Sequence, residues 1–153
     1  MTATLSPTTA KNAISGKNTL VGYRAHGASP EASWTTIPGV SVFTGVGGTV
    51  EDIDQTCIAE SVKRYLAGAF DGGEITITIH HYTGDSTQQA LIAAANSGSI
   101  VDICLQYSDE TTAVMEVVLK SAVPQDASIS ETIKWDIVGK LNGKPTWTFG
   151  TGS

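Results

Sequence analysis

The chain is poor in the features that mark several large classes of protein. Its 153 residues include two cysteines, no run of about 18 apolar residues, and 9 basic against 15 acidic side chains, for a formal charge of −6. Cys57 and Cys104 are far apart and belong to no CxxC pair, so they form neither a disulfide framework nor a zinc site. We interpret both as small apolar side chains. The lack of a long apolar run argues against a membrane-spanning helix, and the scarcity of cations argues against tight binding to a phosphate backbone.

The N-terminal segment also lacks an apolar core sequence of the kind found in a secretory signal. Residues 1–18 are small and polar, which predicts a flexible N-terminal arm. Residues 19–153 are long enough to form a single domain with its own core. We expect this domain to be made and kept in a reducing cytoplasm.

Thr, Ser and Gly make up 50 of the 153 residues, and this composition favours strands and turns over helices. The clearest strand covers residues 74–82, where isoleucines alternate with polar residues, so one face should be buried and the other wet. The polar face consists of Thr76, Thr78 and His80. Residues 101–149 are predicted to form an antiparallel meander with Ile129 and Ile133 inward and Asn142-Gly143 as a hairpin turn.

One short helix is predicted over about residues 86–97. Ser86 is the expected N-cap, with Gln89 reaching back to it, and Gly98 is suited to the left-handed C-terminal position. Residues 51–73, by contrast, show no period of two and only a weak helical period. This segment is predicted to be a long loop or an extended hairpin, and such segments are usually functional or ordered by a partner.

The histidines and serines do not form a convincing catalytic or metal site. His80 and His81 are adjacent on a strand, so their side chains point to opposite faces and cannot share a metal ion. His26 is isolated in a loop, and Ser86 lacks the strand-to-helix elbow of a nucleophilic serine. We therefore predict no catalytic residues, no metal and no cofactor.

Three motifs follow one another along the chain. They are Trp34-x-x-Ile37-Pro38-Gly39-Val40, Ile53-Asp54-Gln55-Thr56 and Ser61-x-Lys63-Arg64-Tyr65-x-Ala67-Gly68-Ala69-x-Asp71-Gly72-Gly73-Glu74. With the Thr/Ile strand, the short helix and the closing meander, this order resembles the tail tube proteins, or major tail proteins, of long-tailed bacteriophages. The resemblance covers about residues 18–150.

The resemblance implies a mostly β fold of the tail tube type, a β-sandwich or barrel with one flanking α-helix. It implies that six copies form a ring, that rings stack into a hollow conduit for genome ejection, and that the protein is not an enzyme. The implied partners are further copies of the chain and tape-measure, tail terminator and baseplate or tip proteins, with DNA passing through the lumen without specific binding and no membrane involved. The implied location is the virion tail, assembled in the host cytoplasm.

Two sets of site residues are expected on this basis. The polar face of the 74–82 strand is a candidate lumen lining, because an acidic, Thr-rich wall repels phosphates. The 51–73 loop is expected to reach a neighbouring subunit or ring, and Lys63 and Arg64 are candidates to meet acids of that neighbour. The loop candidates are Asp52, Asp54, Lys63, Arg64, Tyr65 and Asp71.

An alternative stays open at this point. Trp34, Trp135 and Trp147 are compatible with a monomeric β-sandwich that binds carbohydrate or a surface partner. Two of the three tryptophans lie on faces predicted to point inward, which favours a role in the core.

Overall fold

The computed structural model describes residues 16–27, 33–59 and 61–150. The predicted arm therefore lies largely outside the described residues. Within these ranges the chain forms ten strands and one helix. The elements are β1 Leu20–Ala25, β2 Thr35–Thr36, β3 Val40–Thr44, β4 Thr49–Asp54, β5 Tyr65–Asp71, β6 Glu74–His80, α1 Ser86–Ser97, β7 Ile100–Gln106, β8 Thr112–Pro124, β9 Lys134–Leu141 and β10 Thr146–Thr148.

Eight strands form one antiparallel sheet in the order β2-β1-β7-β8-β9-β6-β3, with β10 paired to β8. At one end of this sheet the Ile37 amide continues the pairing of β2 with β1 through a 2.7 Å hydrogen bond to the Val21 carbonyl. The two ends of the sheet approach each other, because residues of β1 and β3 line one groove of about 360 Å³. The sheet thus curls around one apolar core, and the prediction of a mostly β, barrel-type fold with one helix is confirmed.

Alternation along β6 fixes which face of the sheet meets the core. Ile75, Ile77 and Ile79 are at most 1% exposed, as the sequence predicted, and Ile77 lies directly opposite the buried Ile137 of β9. Strands β7 and β8 repeat the pattern, with alternate residues buried. The other face of the sheet carries the polar residues.

The helix has the predicted bounds, Ser86–Ser97, and Gly98 ends it in the left-handed conformation at φ 70°. The predicted N-cap was wrong by one residue. Asp85 is the cap, and its carboxylate accepts a 3.0 Å hydrogen bond from the Gln88 amide, because Asp85 has extended backbone geometry while Ser86 is already helical. Leu91 and Ala95 anchor the helix in the core.

Two predictions about the meander were wrong. Ile129 and Ile133 are exposed rather than inward, because residues 125–133 connect β8 to β9 outside the sheet. Asn142-Gly143 is not a hairpin turn. Pairing of β9 with β8 ends at the Leu141–Val117 pair, and β10 then pairs with the same edge of β8 from Thr146 onward. β9 and β10 therefore run in the same direction along β8, and the residues between them form a bulge.

The two cysteines, interpreted as small apolar side chains, differ in exposure. Cys57 is exposed and Cys104 is half-buried. No helix in the described part of the chain is long and apolar enough to cross a membrane.

Candidate functional site

Strands β4 and β5 form a hairpin that stands apart from the main sheet. Among the residues that the structure describes they pair only with each other, and they join the sheet between the end of β3 and the start of β6. The hairpin exposes apolar side chains, including Val50 (43%), Ile53 (49%) and Leu66 (54%). A two-stranded ribbon is at best marginally stable in water, and contiguous exposed apolar surface marks an interaction site. We therefore take the hairpin, residues 49–71, as the main candidate functional site.

The hairpin tip, residues 55–64, is shaped by hydrogen bonds between its two arms. The Arg64 amide donates to Thr56 Oγ1 at 2.8 Å, and the Gln55 amide donates to the Arg64 carbonyl at 2.9 Å. Asp54 accepts from the Thr56 amide at 2.9 Å, and this bond holds the pKa of the Asp54 carboxyl below its usual value. Beyond these bonds, Ile58 is fully exposed and Val62 is 70% exposed.

The structure brings the predicted loop residues together on this hairpin. Asp54 lies opposite Tyr65, and Asp52 lies opposite Ala67. Asp71 accepts a 3.0 Å hydrogen bond from the Gly73 amide, so it supports the return of the chain to β6. Lys63 and Arg64 are both exposed at the tip.

The polar face of β6 differs from the prediction at its centre. Thr78 is only 8% exposed, because its hydroxyl donates a 2.8 Å hydrogen bond to Asp136 Oδ1 on β9, and Gln125 donates to the same oxygen. Thr76 and His80 are half-buried, and His80 Nδ1 lies 3.0 Å from Thr132 Oγ1. The polar face of β6 is therefore partly exposed to solvent at Thr76 and His80, as predicted, and buried at Thr78.

Charged side chains on this outer face of the sheet are largely arranged in pairs. Lys120 Nζ lies 2.9 Å from Glu74 Oε1, and this contact holds the pKa of Glu74 below its usual value. Arg24 Nε lies 3.2 Å from Asp102 Oδ2, and its guanidinium stacks 4.1 Å from the Trp34 ring centroid. The pairing reduces the positive charge available to an anion.

His26 is not isolated, contrary to the prediction. Its Nδ1 lies 2.8 Å from Asp102 Oδ1 and its Nε2 lies 3.5 Å from Glu116 Oε1. The hydrogen bond to Asp102 raises the pKa of His26 above its usual value, and the nearby Glu116 carboxylate adds to the effect. Sequence reasoning missed this cluster because its residues are joined only by the pairing of β1, β7 and β8.

The remaining candidates take ordinary structural places. Trp135 packs against the core and donates through Nε1 to His81 Nδ1 at 3.1 Å. Trp147 faces the core side opposite Ala113, yet it is 37% exposed and stacks with Phe149. Among the described residues no group of three or more His, Cys, Asp or Glu side chains could hold a metal ion.

Sequence reasoning also missed the exposed connection between β8 and β9. All of residues 125–133 are exposed, and hydrogen bonds among Ser128, Ser130 and Glu131 shape the turn. The cluster of Pro124, Asp126 and serines was the available signal for a loop at this position.

The sequence of the chain also matches known proteins. A family model described as phage tail tube, TTP, lambda-like matches residues 16–140. Structural protein 3 of Pseudomonas phage PAJU2 is 28% identical over 94 residues, which cover 58% of this chain and 57% of that protein. The match therefore spans little more than half the length of this relative.

Solved structures show the same fold at low identity. A chain of the anti-feeding prophage baseplate is 11% identical with a TM-score of 0.70, covering 93% of this chain and 99% of its own length. The SPP1 tail tube protein is 14% identical with a TM-score of 0.67, covering 90% of this chain and 80% of its own. A chain from the tail of an empty gene transfer agent particle, refined with C6 symmetry, is 15% identical with a TM-score of 0.67, covering 89% and 99%.

Proposed function

Because the chain belongs to the lambda-like family of phage tail tube proteins, and is thus a structural subunit of the virion tail, we propose that six copies form a ring. Rings then stack into a hollow tube through which the genome is ejected. The observation that carries this proposal is the exposed apolar β4–β5 hairpin, which has no partner strand in the main sheet. The C6 symmetry of the gene transfer agent tail, built from a similar fold, supports the number six.

Contacts within a ring would use the edges of the curled sheet. Strand β3 is the last strand of the sheet on one side, and the two-residue β2 lies at the other. An unprotected sheet edge offers free main-chain donors and acceptors to a second chain. In a closed ring each edge meets a neighbour, so the inner strands join into one continuous barrel.

The lumen lining is proposed to include the outer face of β6, with Thr76, Thr78 and His80. On this face Glu74 lies opposite Lys140 across the β6–β9 register, and Asp136 lies two residues from Lys134 on β9, so the face is close to neutral. Repulsion of DNA would then come mainly from the overall charge of −6. A wall without clustered cations lets DNA pass without specific binding.

The lumen assignment is tested by placing a cation on that face. In assembled tubes, Thr76→Arg should give retention of DNA at low salt that weakens as salt rises, because each new phosphate contact releases counterions. Thr76→Glu, in the same position, is the control and should show no retention. Equal retention of DNA by the two variants would mean that the outer face of β6 does not line the lumen.

The protein is proposed to act without catalysis and without a cofactor. Its proposed partners are other copies of itself and the tape-measure, tail terminator and baseplate or tip proteins, joined during assembly in the host cytoplasm. Chains of similar fold occur in the anti-feeding prophage baseplate and in its tube-terminating cap, which supports contacts at both ends of a tube.

The central experiment replaces residues 49–71 with a short Gly-Ser link. The variant should remain a folded monomer, because the hairpin lies outside the main sheet, and it should form neither rings nor tubes in electron micrographs. Loss of folding, measured by circular dichroism, would show that the hairpin belongs to the core. In the full-length chain, Ile53→Lys should also block assembly, whereas the matched control Ile53→Val should assemble.

A further inference from the structure

The carboxylate of Asp102 contacts two side chains at the end of β1. Its Oδ1 lies 2.8 Å from His26 Nδ1, and its Oδ2 lies 3.2 Å from Arg24 Nε. The Arg24 guanidinium in turn lies 4.1 Å from the centroid of the Trp34 ring. His26 directly follows β1, and Trp34 directly precedes β2. Asp102 therefore contacts the chain where it leaves β1 and, through Arg24, where it enters β2.

Strand β2 is an edge strand with little pairing of its own. It has two residues, both exposed, and in the described part of the chain it pairs with β1 alone. The next residue, Ile37, is 3% exposed and anchors one end of β2 in the core. At the other end Trp34 is 36% exposed and lies against Arg24, so the position of this end depends on the side chains around Asp102.

A second acid lies beside Asp102. Glu116 of β8 is directly opposite Asp102 of β7, and like charges at opposed positions of an antiparallel pair are destabilising. His26 bridges the two acids, since its Nε2 is 3.5 Å from Glu116 Oε1. Glu116 also accepts a 2.9 Å hydrogen bond from Asn142 Nδ2, a neutral group. We call His26, Asp102 and Glu116 the His26 cluster.

The number of protons on the imidazole decides whether His26 can serve both acids. A neutral ring carries one N–H group, so it donates to Asp102 or to Glu116 but not to both. The protonated ring carries an N–H group on each nitrogen and donates toward both carboxylates at once, and its positive charge offsets their repulsion. The His26 side chain is 42% exposed, so the ring exchanges its proton directly with solvent.

We infer that the His26 cluster is a pH-dependent device that holds the β2 edge of the sheet in place. When His26 is protonated, both acids are in contact with the ring, and the contact of Arg24 with Trp34 keeps β2 on β1. When the ring loses its proton, one carboxylate loses its contact with the ring and the two acids repel each other. The Trp34 end of β2 then loosens from β1.

The charges around the ring set the pH at which this change occurs. In the described part of the chain, the groups facing His26 are Arg24 from β1, Asp102 from β7 and Glu116 from β8. The hydrogen bond to Asp102 raises the pKa of His26 above its usual value of 6.5. The contact with both acids is therefore complete below pH 6.5 and is lost as pH rises through the raised pKa.

This inference rests on the proposed function for its consequence and adds a control to it. Strand β2 is one of the two sheet edges that we propose meet a neighbour within a ring, so its loosening should weaken that contact at alkaline pH. The protein concentration needed for half of the chains to enter rings should rise about two- to fivefold between about pH 6 and about pH 9, as expected for an exposed ion pair.

The first test follows Trp34 by fluorine NMR in the chain labelled with fluorotryptophan, at a concentration below assembly. The Trp34 signal, identified by its absence from Trp34→Phe, should shift with the same midpoint as the titration of His26. Trp147, which stacks with Tyr107 and Phe149, is the internal reference and should not respond. A Trp34 signal that stays constant while His26 titrates would overturn the inference.

Three variants separate the charge of His26 from its packing. His26→Gln, neutral at every pH, should give the alkaline Trp34 signal throughout, and His26→Arg, always charged and rich in N–H donors, should give the acidic signal throughout. Glu116→Gln removes the opposed charge, so the Trp34 response should shrink while His26 still titrates against Asp102. Equal Trp34 signals in His26→Gln and His26→Arg would show that only the packing of the ring matters and would overturn the inference.

The second test measures ring formation by the same proteins in electron micrographs at a series of concentrations. His26→Gln should need the higher concentration at every pH, and His26→Arg the lower one. Rings of the natural chain that form equally well at both pH values would overturn the inference. A natural chain that forms no rings at any pH would instead overturn the proposed function, and the Trp34 signal would still decide whether the His26 cluster holds β2.

Discussion

The side-chain amide of Gln88 donates a 2.7 Å hydrogen bond to the main-chain carbonyl of His80, and so ties the helix to the end of β6. The same nitrogen donates to the Pro38 carbonyl at 3.0 Å, and the side-chain oxygen accepts from the Tyr82 amide at 3.0 Å. Gln88 is 3% exposed. One buried side chain thus satisfies three main-chain groups where three segments meet.

Gln88→Leu should therefore destabilise the fold strongly. Its removal leaves buried main-chain donors and acceptors without partners, at a cost of at least about 2 kcal/mol in the free energy of unfolding. The matched control is Gln89→Leu at the exposed neighbouring position, which should change stability by less than about 0.5 kcal/mol. Urea unfolding followed by fluorescence measures both, and equal effects would show that the bonds of Gln88 add nothing.

A second prediction concerns the pair formed by Thr78 and Asp136. Thr78→Val keeps the shape of the side chain but removes the donor to Asp136, so the free energy of unfolding should fall by about 1–2 kcal/mol. Thr76→Val on the same face makes no comparable loss, because among the described residues Thr76 has no such bond. This control should be neutral within about 0.5 kcal/mol, and thermal or urea unfolding of the two variants decides the point.

The His26 cluster predicts a specific dependence of stability on pH. The pKa of His26 in the folded protein lies above its usual value of 6.5, so the protonated imidazole stabilises the fold fully below pH 6.5 and this contribution is lost as pH rises through the raised pKa. The groups facing the ring are Asp102, Glu116 and Arg24.

The test compares the natural chain with His26→Gln in urea unfolding between pH 5.5 and pH 9, chosen as roughly spanning the titration of a histidine. The natural chain should lose stability across this range relative to the variant. The lowered pKa values of Asp54 and Glu74 act in a more acidic range and do not interfere. Parallel curves for the two proteins would show that the ion pairs of His26 do not stabilise the fold.

Glycine is required where β3 turns toward the hairpin. Gly45 has φ 93°, and a Cβ there would collide with the Glu74 main-chain carbonyl. Gly73 has φ 70° with open space around it, so Gly73→Ala should cost only the strain of the left-handed conformation, about 1–2 kcal/mol. Gly45→Ala should cost clearly more, and a smaller loss in denaturant unfolding would mean that the base of the hairpin is free to shift.

Short-range patterns predicted the core strands and the helix, because alternation in β6 and the Gly98 stop depend on neighbouring residues. The N-cap was missed by one position, since Asp85 and Ser86 are both good caps and only the backbone conformation selects between them. The path of β10 could not be predicted, because Asn142-Gly143 suits either a hairpin turn or a bulge and long-range pairing with β8 decides.

The candidate site could also be predicted only in part, because local sequence patterns do not report contacts between distant residues. The 51–73 segment was recognised by its lack of a clear period and by its motifs. An extended hairpin was one of the two predicted alternatives, but the bounds of its strands could not be predicted, because a ribbon exposed on both faces has no alternation of apolar and polar residues to detect. The burial of Thr78 was also missed, since it depends on Asp136 and Gln125, which are distant in sequence.

The most direct test of the central claim is electron cryomicroscopy of the purified natural chain at increasing protein concentration. We expect six-fold rings that stack into hollow tubes, with the β4–β5 hairpin in contact with another subunit. A protein that remains a monomer at every concentration would contradict this expectation and would favour the monomeric binding module.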